Sequence, residues 1–246
     1  MTIPNLKTCV REEKENLASP DKETIRQIFD SIAFRYDFIN SLLSLRLDDL
    51  WRRKAVRLIL AGQQETKTLL DLGVGTGKFL KEFLRVKSWQ RAAGVDFSGE
   101  MLARARHLLP EDCELVQADI HDLPFESTSF DLVVSSFTER SIQDRPHFFR
   151  EVFRILVPEG RVAFLYLTRP ASPIVHALYA PYLKFYLPLA GRIFSADPKA
   201  YRFLSQSIQA FPSPPEIAGE LEDAGFQNPA IFPFTFGLST LLIAQR

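Results

Sequence analysis

The chain has 246 residues, of which 46% are hydrophobic and 24% are charged. This composition is typical of a folded globular protein with a sizeable core, and it excludes a disordered chain. Lysine plus arginine total 30 and aspartate plus glutamate total 30. Such a balanced chain has no overall field to attract a phosphate backbone, which disfavours nucleic acid as the main partner. The two cysteines, Cys9 and Cys113, belong to no Cys/His cluster with metal-ligand spacing, so we expect neither a disulfide framework nor a bound metal.

The amino-terminal region is predicted to be a flexible leader followed by a helical cap. Residues 1–20 are polar and charged and lack the apolar run of a secretory signal, so we expect a cytoplasmic protein. Residues 21–62 are predicted to form the cap, and residues 21–246 a single domain. The cap prediction rests on apolar side chains three and four positions apart, the spacing of an amphipathic helix. They include Ile25, Ile28, Phe29 and Ile32.

After residue 62, short apolar runs alternate with amphipathic segments. Strands separated by helices predict βαβ units and a parallel sheet. The last two strands follow each other closely around Gly237, so that pair should be antiparallel. Ser213 and Glu216 have the spacing of a capping box before the last helix. The strand candidates are Thr68–Leu72, Ala92–Asp96, Cys113–Ala118, Phe130–Ser135, Gly160–Leu167, Gln227–Phe234 and Thr240–Ala244. The helix candidates are Lys78–Val86, Gly99–Leu108, Arg145–Leu156 and Pro215–Ala224.

One apolar stretch has the length of a membrane-spanning helix. Between Ala171 and Ala190 the only formal charge is Lys184, and about 20 apolar residues span a bilayer. Three prolines interrupt the stretch, and a proline inside a helix costs about 3 kcal/mol. We therefore predict a helical lid insertion over residues 170–210, with a buried helix pair as the alternative. The prolines are Pro173, Pro181 and Pro188.

The strongest local motif is a glycine-rich turn between the first predicted strand and the first predicted helix after it. Asp71 precedes Gly73, Val74, Gly75, Thr76 and Gly77 in a G-x-G-x-G pattern. Glycines let the backbone turn sharply and approach a ligand closely. The spacing differs from the G-x-G-x-x-G of dinucleotide-binding turns. Asp71 would repel a pyrophosphate, whereas it suits a cationic amino group or a sulfonium.

Two further aspartates follow the next two predicted strands. Asp96 lies 19 residues after Gly77, a placement that suits a carboxylate accepting hydrogen bonds from ribose hydroxyls. Asp119 is placed to accept a hydrogen bond from an adenine amino group. Each aspartate alone is equally typical of a helix cap, and the glycine turn alone of a tight connection. Together they predict S-adenosylmethionine as the ligand, bound at the carboxyl ends of the strands.

The segment from about Ile25 to Ala244 resembles the ubiquinone/menaquinone-biosynthesis C-methyltransferases. The resemblance is most specific in three stretches, which are Phe29–Asn40 with Leu50–Arg53 after it, Ser136–Ile142 and Asp197–Ile208. It implies a Rossmann-like class I methyltransferase fold, with a seven-stranded, mostly parallel sheet and an antiparallel last strand. It also implies carbon methylation of a prenylated quinol ring, as in demethylmenaquinol. The cofactor contacts that it implies are Thr76, Asp96, Asp119, Ile120 and Ser136.

The same resemblance assigns the acceptor side of the site. Arg140 is the candidate for stabilising a developing phenolate, with a surface ion pair to Glu139 or Asp144 as the alternative. The residues predicted to close over the ring are Tyr36, Asp37, Asn40, Tyr201 and Arg202, with helix packing as their alternative role.

The chain departs from the family pattern near the acceptor. The family usually has a glycine and a hydrophobic residue where Thr138 and Glu139 stand. Another small-molecule methyltransferase, or a non-catalytic cofactor-binding subunit, therefore stays open as an alternative. So do peripheral contact with the inner face of the membrane and assembly as a homodimer.

Overall fold

A seven-stranded sheet forms the centre of the fold. The computed structural model describes residues 44, 46–61, 66–139, 142–170, 172 and 211–246. The strands are β1 (Thr68–Leu72), β2 (Arg91–Asp96), β3 (Glu114–Gln117), β4 (Phe130–Ser136), β5 (Leu156–Leu167), β6 (Gln227–Phe234) and β7 (Ser239–Gln245). Their order in the sheet is β3-β2-β1-β4-β5-β7-β6. Strand β7 is antiparallel to both its neighbours, and the other neighbouring pairs are parallel.

Helices cover both faces of this sheet. The described helices are α1 (Leu47–Leu60), α2 (Lys78–Val86), α3 (Gly99–Leu108), α4 (Arg145–Ile155) and α5 (Pro214–Asp223). Successive strand side chains point to opposite faces, so Leu70 and Leu72 join the apolar core under α4 and α5. Leu69 joins the second core, under α1, α2 and α3. Parallel strands buried on both faces by helices are the arrangement that the alternating pattern predicted.

The sequence predictions for the described ranges are confirmed, with differences at some ends. All seven predicted strands and the antiparallel last strand are present, and the capping box closes with Ser213 N–H donating to Glu216 Oε2 at 2.7 Å. The start of β5 was predicted too late, because the strand continues back to Leu156 across a register shift opposite Phe130 and Leu132. Leu156 therefore belongs to β5 and not to the preceding helix.

Two predicted segments fall largely outside the described residues. They are the first part of the helical cap, before α1, and the lid insertion of residues 170–210, apart from 170 and 172. In the described part of the chain, no helix has both the length and the apolar character needed to cross a bilayer.

Hydrogen bonds between β1 and β4 fix the centre of the sheet at both ends. At the carboxyl end, Ser135 Oγ donates to the Leu72 carbonyl at 2.7 Å. At the amino end, Asp131 Oδ2 accepts from the backbone N–H groups of Lys67 and Thr68 at 2.7 and 2.8 Å, and from Thr68 Oγ1 at 3.0 Å. One carboxylate oxygen thus joins the starts of the two strands.

Replacing Asp131 should destabilise the fold without affecting ligand binding. Asp131→Ala leaves two backbone N–H groups without their acceptor, so we expect the free energy of unfolding to fall by about 1–3 kcal/mol. Asp131→Asn keeps an acceptor oxygen and should lose less. Chemical denaturation measures both changes. Weaker S-adenosylmethionine binding by the folded Asp131→Ala protein would contradict this purely structural role.

Candidate cofactor and active site

The glycine turn after β1 adopts a backbone that favours glycine. Gly73 and Gly75 have φ values of +64° and +54°, in the left-handed region that side chains disfavour. A Cβ atom on Gly73 would lie 2.4 Å from the side chain of Thr138, whereas one on Gly75 would meet no atom within 4 Å. The turn is therefore closely packed at Gly73 and open at Gly75. A ligand can approach the Gly75 backbone directly.

Asp96 at the end of β2 holds this turn in place. Its Oδ2 atom accepts a hydrogen bond from Gly75 N–H at 2.8 Å, and its Oδ1 atom accepts one from Ser98 N–H at 2.9 Å. The helix-cap role considered for Asp96 belongs to Ser98 instead, because Ser98 Oγ accepts from Met101 N–H. The Asp96 carboxylate is buried and borders the pocket that the turn opens onto.

Five of the predicted cofactor residues line one pocket at the carboxyl ends of the strands. The same pocket is lined by Phe97 and Met101 beside Asp96, and by Arg52, Phe137 and Thr138 near Gly73. The structure thus brings the turn, the end of β2 and the end of β4 to one cavity, as expected for a ligand at the edge of an open α/β sheet. The five residues are Gly73, Gly75, Thr76, Asp96 and Ser136.

Asp71 and Gly77 belong to the same turn but do not line this pocket. Gly77 is the left-handed N-cap of α2. Asp71 is 1% exposed. Burial raises the pKa of Asp71 well above its ordinary value, and the charges of Asp96 and Glu139 act in the same direction. The Arg52 guanidinium and a hydrogen bond from the Leu80 backbone oppose this rise.

Asp119 and Ile120 lie after β3, outside the pocket lining. Asp119 Oδ1 accepts from His121 N–H at 3.0 Å and lies 2.6 Å from His121 Nδ1. Ile120 packs against the core under α4 and α5. The segment stays beside β2, because Ala118 N–H donates to the Asp96 carbonyl at 3.1 Å. The predicted adenine contacts of Asp119 and Ile120 remain predictions.

The predicted acceptor-side residues lie outside the described part of the chain. These are Arg140, Tyr36, Asp37, Asn40, Tyr201 and Arg202. The residues that lead to Arg140 are described. Phe137 has φ +62° and donates its N–H to the Leu165 carbonyl at 2.7 Å, so the chain turns sharply after β4. Thr138 Oγ1 donates to the Gly73 carbonyl at 3.3 Å, and Glu139 is 3% exposed.

Sequence reasoning did not select Arg52 as a site residue. The segment Leu50–Arg53, which contains it, was used only as support for the family resemblance. In the structure, Arg52 lines the pocket from α1 and is 9% exposed. The available signal was a basic residue on the apolar face of a helix, beside Trp51 and ahead of Ala55, Val56 and Ile59. All four of these residues are buried.

Comparison with solved structures defines the fold of the protein. The fold matches a SAM-dependent methyltransferase of Thermotoga maritima with a TM-score of 0.65 at 18% identity, over 89% of this chain and 98% of that chain. It also matches human N-acetylserotonin methyltransferase, solved with SAM, with a TM-score of 0.63 at 17% identity, over 94% of this chain and 61% of that chain. The chain therefore has the Rossmann-like fold of these class I methyltransferases.

Sequence comparison identifies the family. The model of the ubiE/COQ5 methyltransferase family matches residues 16–246, so the chain belongs to that family. A demethylmenaquinone methyltransferase of Chlamydia caviae is 37% identical over 93% of this chain and 98% of its own length. The proteins of that name from Thermotoga maritima and Staphylococcus aureus are 35% and 31% identical, over 91% and 92% of this chain and 96% and 94% of their own lengths.

Asp96 should contact the ribose of the cofactor as well as the turn. Asp96→Ala leaves ribose hydroxyls unpaired, and we expect binding of S-adenosylhomocysteine to weaken by about 1–3 kcal/mol. The variant also loses the bond to Gly75, so calorimetry should include the 2′-deoxy analogue of the same ligand. Wild type should prefer the hydroxylated ligand, and Asp96→Ala should bind both equally. If the variant kept the wild-type preference, Asp96 would not contact the ribose.

Proposed function

We propose that the protein transfers a methyl group from S-adenosylmethionine to a ring carbon of a prenylated quinol, converting demethylmenaquinol to menaquinol. The observation that carries this proposal is the name shared by relatives that are 31–37% identical over more than 90% of the chain. The glycine turn, whose backbone is open to a ligand, and the buried carboxylate of Asp96 beside it also suit S-adenosylmethionine, with Asp96 at the ribose.

The donor, when bound, supplies an electrophilic methyl group on a sulfonium. The protein has to place the acceptor carbon in line with that methyl, and alignment of this kind supplies about 7–11 kcal/mol of rate acceleration. The turn at Phe137 directs the chain from the end of β4 past Gly73 towards Arg140. We assign the closing of the site over the ring to five residues, which are Tyr36, Asp37, Asn40, Tyr201 and Arg202.

We assign to Arg140 the role of stabilising the negative charge that develops on the acceptor oxygen. A phenol has a reference pKa of about 10, so loss of its proton at neutral pH needs a base or a stabilising cation. A guanidinium stays charged at any working pH and presents a fork of donors to an oxyanion or a water molecule. The electron density released on deprotonation moves onto the adjacent ring carbon, which takes the methyl from the sulfonium as S-adenosylhomocysteine leaves. Loss of the proton on that carbon and return of a proton to the oxygen restore the aromatic quinol.

The position of the transferred methyl group tests the assigned reaction. With methyl-labelled S-adenosylmethionine and demethylmenaquinol, we expect label on a ring carbon of the product, identified by NMR and mass spectrometry. Label on oxygen or nitrogen would overturn the acceptor assignment and favour another small-molecule methyltransferase. Cofactor binding without any S-adenosylhomocysteine formation would favour the non-catalytic subunit.

Replacement of Arg140 tests the catalytic assignment. Arg140→Ala should lower kcat by about 100-fold or more, as the loss of an oxyanion donor does. Cofactor affinity should change little, because the assigned cofactor contacts lie elsewhere. Arg140→Lys should restore activity only partly, since an ammonium lacks the planar fork. Near-normal turnover of Arg140→Ala would instead support a surface ion pair, which contributes only about 0–1 kcal/mol to stability.

We also propose that the protein works at the cytoplasmic face of the membrane, where a prenylated quinol resides. One exposed face of α1 combines an apolar side chain with basic ones, at the i, i+3, i+4, i+7 spacing of a helical face. It consists of Leu50, Arg53, Lys54 and Arg57. Trp51 Nε1 donates to Thr235 Oγ1 at 2.8 Å, which places the β6–β7 turn beside α1. Phe236 in that turn is 82% exposed.

Vesicle binding tests this surface. The basic face complements anionic lipid, and each basic residue near such a surface contributes about 1 kcal/mol. Sedimentation should therefore show binding to phosphatidylglycerol vesicles but not to phosphatidylcholine vesicles. Phe236→Ser and the triple change of Arg53, Lys54 and Arg57 to Gln should each weaken it, and the control Val86→Ser, at another exposed apolar residue, should not. Equal binding by all variants would contradict the assignment.

Assembly as a homodimer is a separate proposal, for which light scattering is the test.

A further inference from the structure

Arg52 is a buried cation on the inner face of α1. Its side chain is 10% exposed, and it lines the same pocket as the glycine turn. Placing a charge in such a position is costly unless it is paired and hydrogen-bonded. The sequence therefore keeps a guanidinium at a position where an apolar side chain would pack more easily against the neighbouring core.

The guanidinium is held in one orientation by α1 and by the turn after β4. Its Nη1 atom donates to Asp48 Oδ2 at 2.6 Å, and Asp49 Oδ1 lies 3.7 Å away. Its central carbon lies 4.9 Å from the centre of the Phe137 ring. Burial opposes ionisation of Asp48, but hydrogen bonding from Ser44 and the charge of Arg52 hold the pKa of that carboxyl below its ordinary value. Asp48 thus stays ionised and fixes Arg52 in place.

The intramolecular contacts leave donor capacity on Arg52. Its Nε atom is buried and has no hydrogen-bond partner within the residues the structure describes. A guanidinium has five N–H donors in a planar fork, and two parallel donors of that fork match the two oxygens of a carboxylate. Arg52 lines the pocket, and a carboxylate ligand there would match two donors of this fork.

Contacts along the glycine turn place Arg52 relative to Asp96. Asp96, assigned to the ribose, holds the turn at Gly75, while Thr138, the residue after Phe137, packs against Gly73. Arg52 lies over the Phe137 ring and lines the same pocket. The amino-acid portion of the donor carries an ammonium and a carboxylate, and the carboxylate needs a cation.

We propose that Arg52 binds the carboxylate of the methionine portion of S-adenosylmethionine. The guanidinium, oriented by Asp48 and Phe137, donates to the two carboxylate oxygens and fixes the donor along the glycine turn. The other basic residue that lines the pocket is Lys78, at the start of α2. Lys78 is half-buried and presents a point charge without a fork, which makes it the alternative receptor.

Ligands with and without that carboxylate provide the test. Calorimetry compares S-adenosylhomocysteine with its decarboxylated analogue, which keeps the amino group and the nucleoside. For Arg52→Gln we expect S-adenosylhomocysteine to bind about 10- to 100-fold more weakly, in the range of a hydrogen bond to a charged group. The decarboxylated ligand should bind as it does to wild type. Arg106→Gln, which removes an exposed charge on α3, should leave both affinities unchanged.

The ratio of the two affinities separates this role from a structural one. If Arg52→Gln weakened the binding of both ligands equally, Arg52 would act through the packing of α1 and the proposal would be wrong. A selective loss in Lys78→Gln but not in Arg52→Gln would assign the carboxylate to Lys78. Should Arg52→Gln not fold, Arg52→Lys replaces it: a smaller selective loss supports the proposal, and the wild-type ratio overturns it. No quinol takes part, so neither result bears on the acceptor assignment.

Discussion

The carboxylate of Asp96 fixes the backbone on which the cofactor pocket is built. The glycines of the turn adopt positive and negative φ about equally readily, so the sequence of the turn alone does not determine its shape. Asp96 supplies the missing constraint by accepting hydrogen bonds from Gly75 on one side and from Ser98, the cap of α3, on the other. Val74 N–H adds a bond to the Val95 carbonyl at 2.9 Å. One side chain therefore couples β1, β2 and the start of α3 around the space for the donor.

Helix α1 connects that pocket to the surface of the protein. Its inner face packs Trp51 and Val56 into the core and carries Arg52 to the pocket, while its outer face presents Arg53 and Arg57 to solvent. The proposed lipid contact and the proposed carboxylate contact therefore lie on opposite faces of one helix, although they rest on different observations.

Periodicity and turn residues were enough to predict the described core of the fold. The strand positions follow largely from sequence because short apolar runs alternate with segments of helical periodicity. The start of β5 was missed because Pro158 and Glu159 are typical of a loop. In the structure both lie within β5, where its pairing with β4 is irregular and Glu159 has a left-handed φ of +63°. The role of Arg52 was missed because a helical pattern places it on the apolar face but does not separate a residue that lines a ligand pocket from one that is paired within the core. The pairing of Asp119 with His121 depends on side-chain rotamers, which periodicity does not encode.

The position of β7 has a consequence for synthesis on the ribosome. Among the described strands, β6 pairs with β7 alone, and β7 also covers the free edge of β5. As the chain emerges in order, β6 has no partner strand and β5 has an open edge until β7 has been made. Open strand edges of this kind are templates for pairing with other chains. The nascent protein therefore passes through an interval of aggregation risk that ends only when its last strand inserts between the two that precede it.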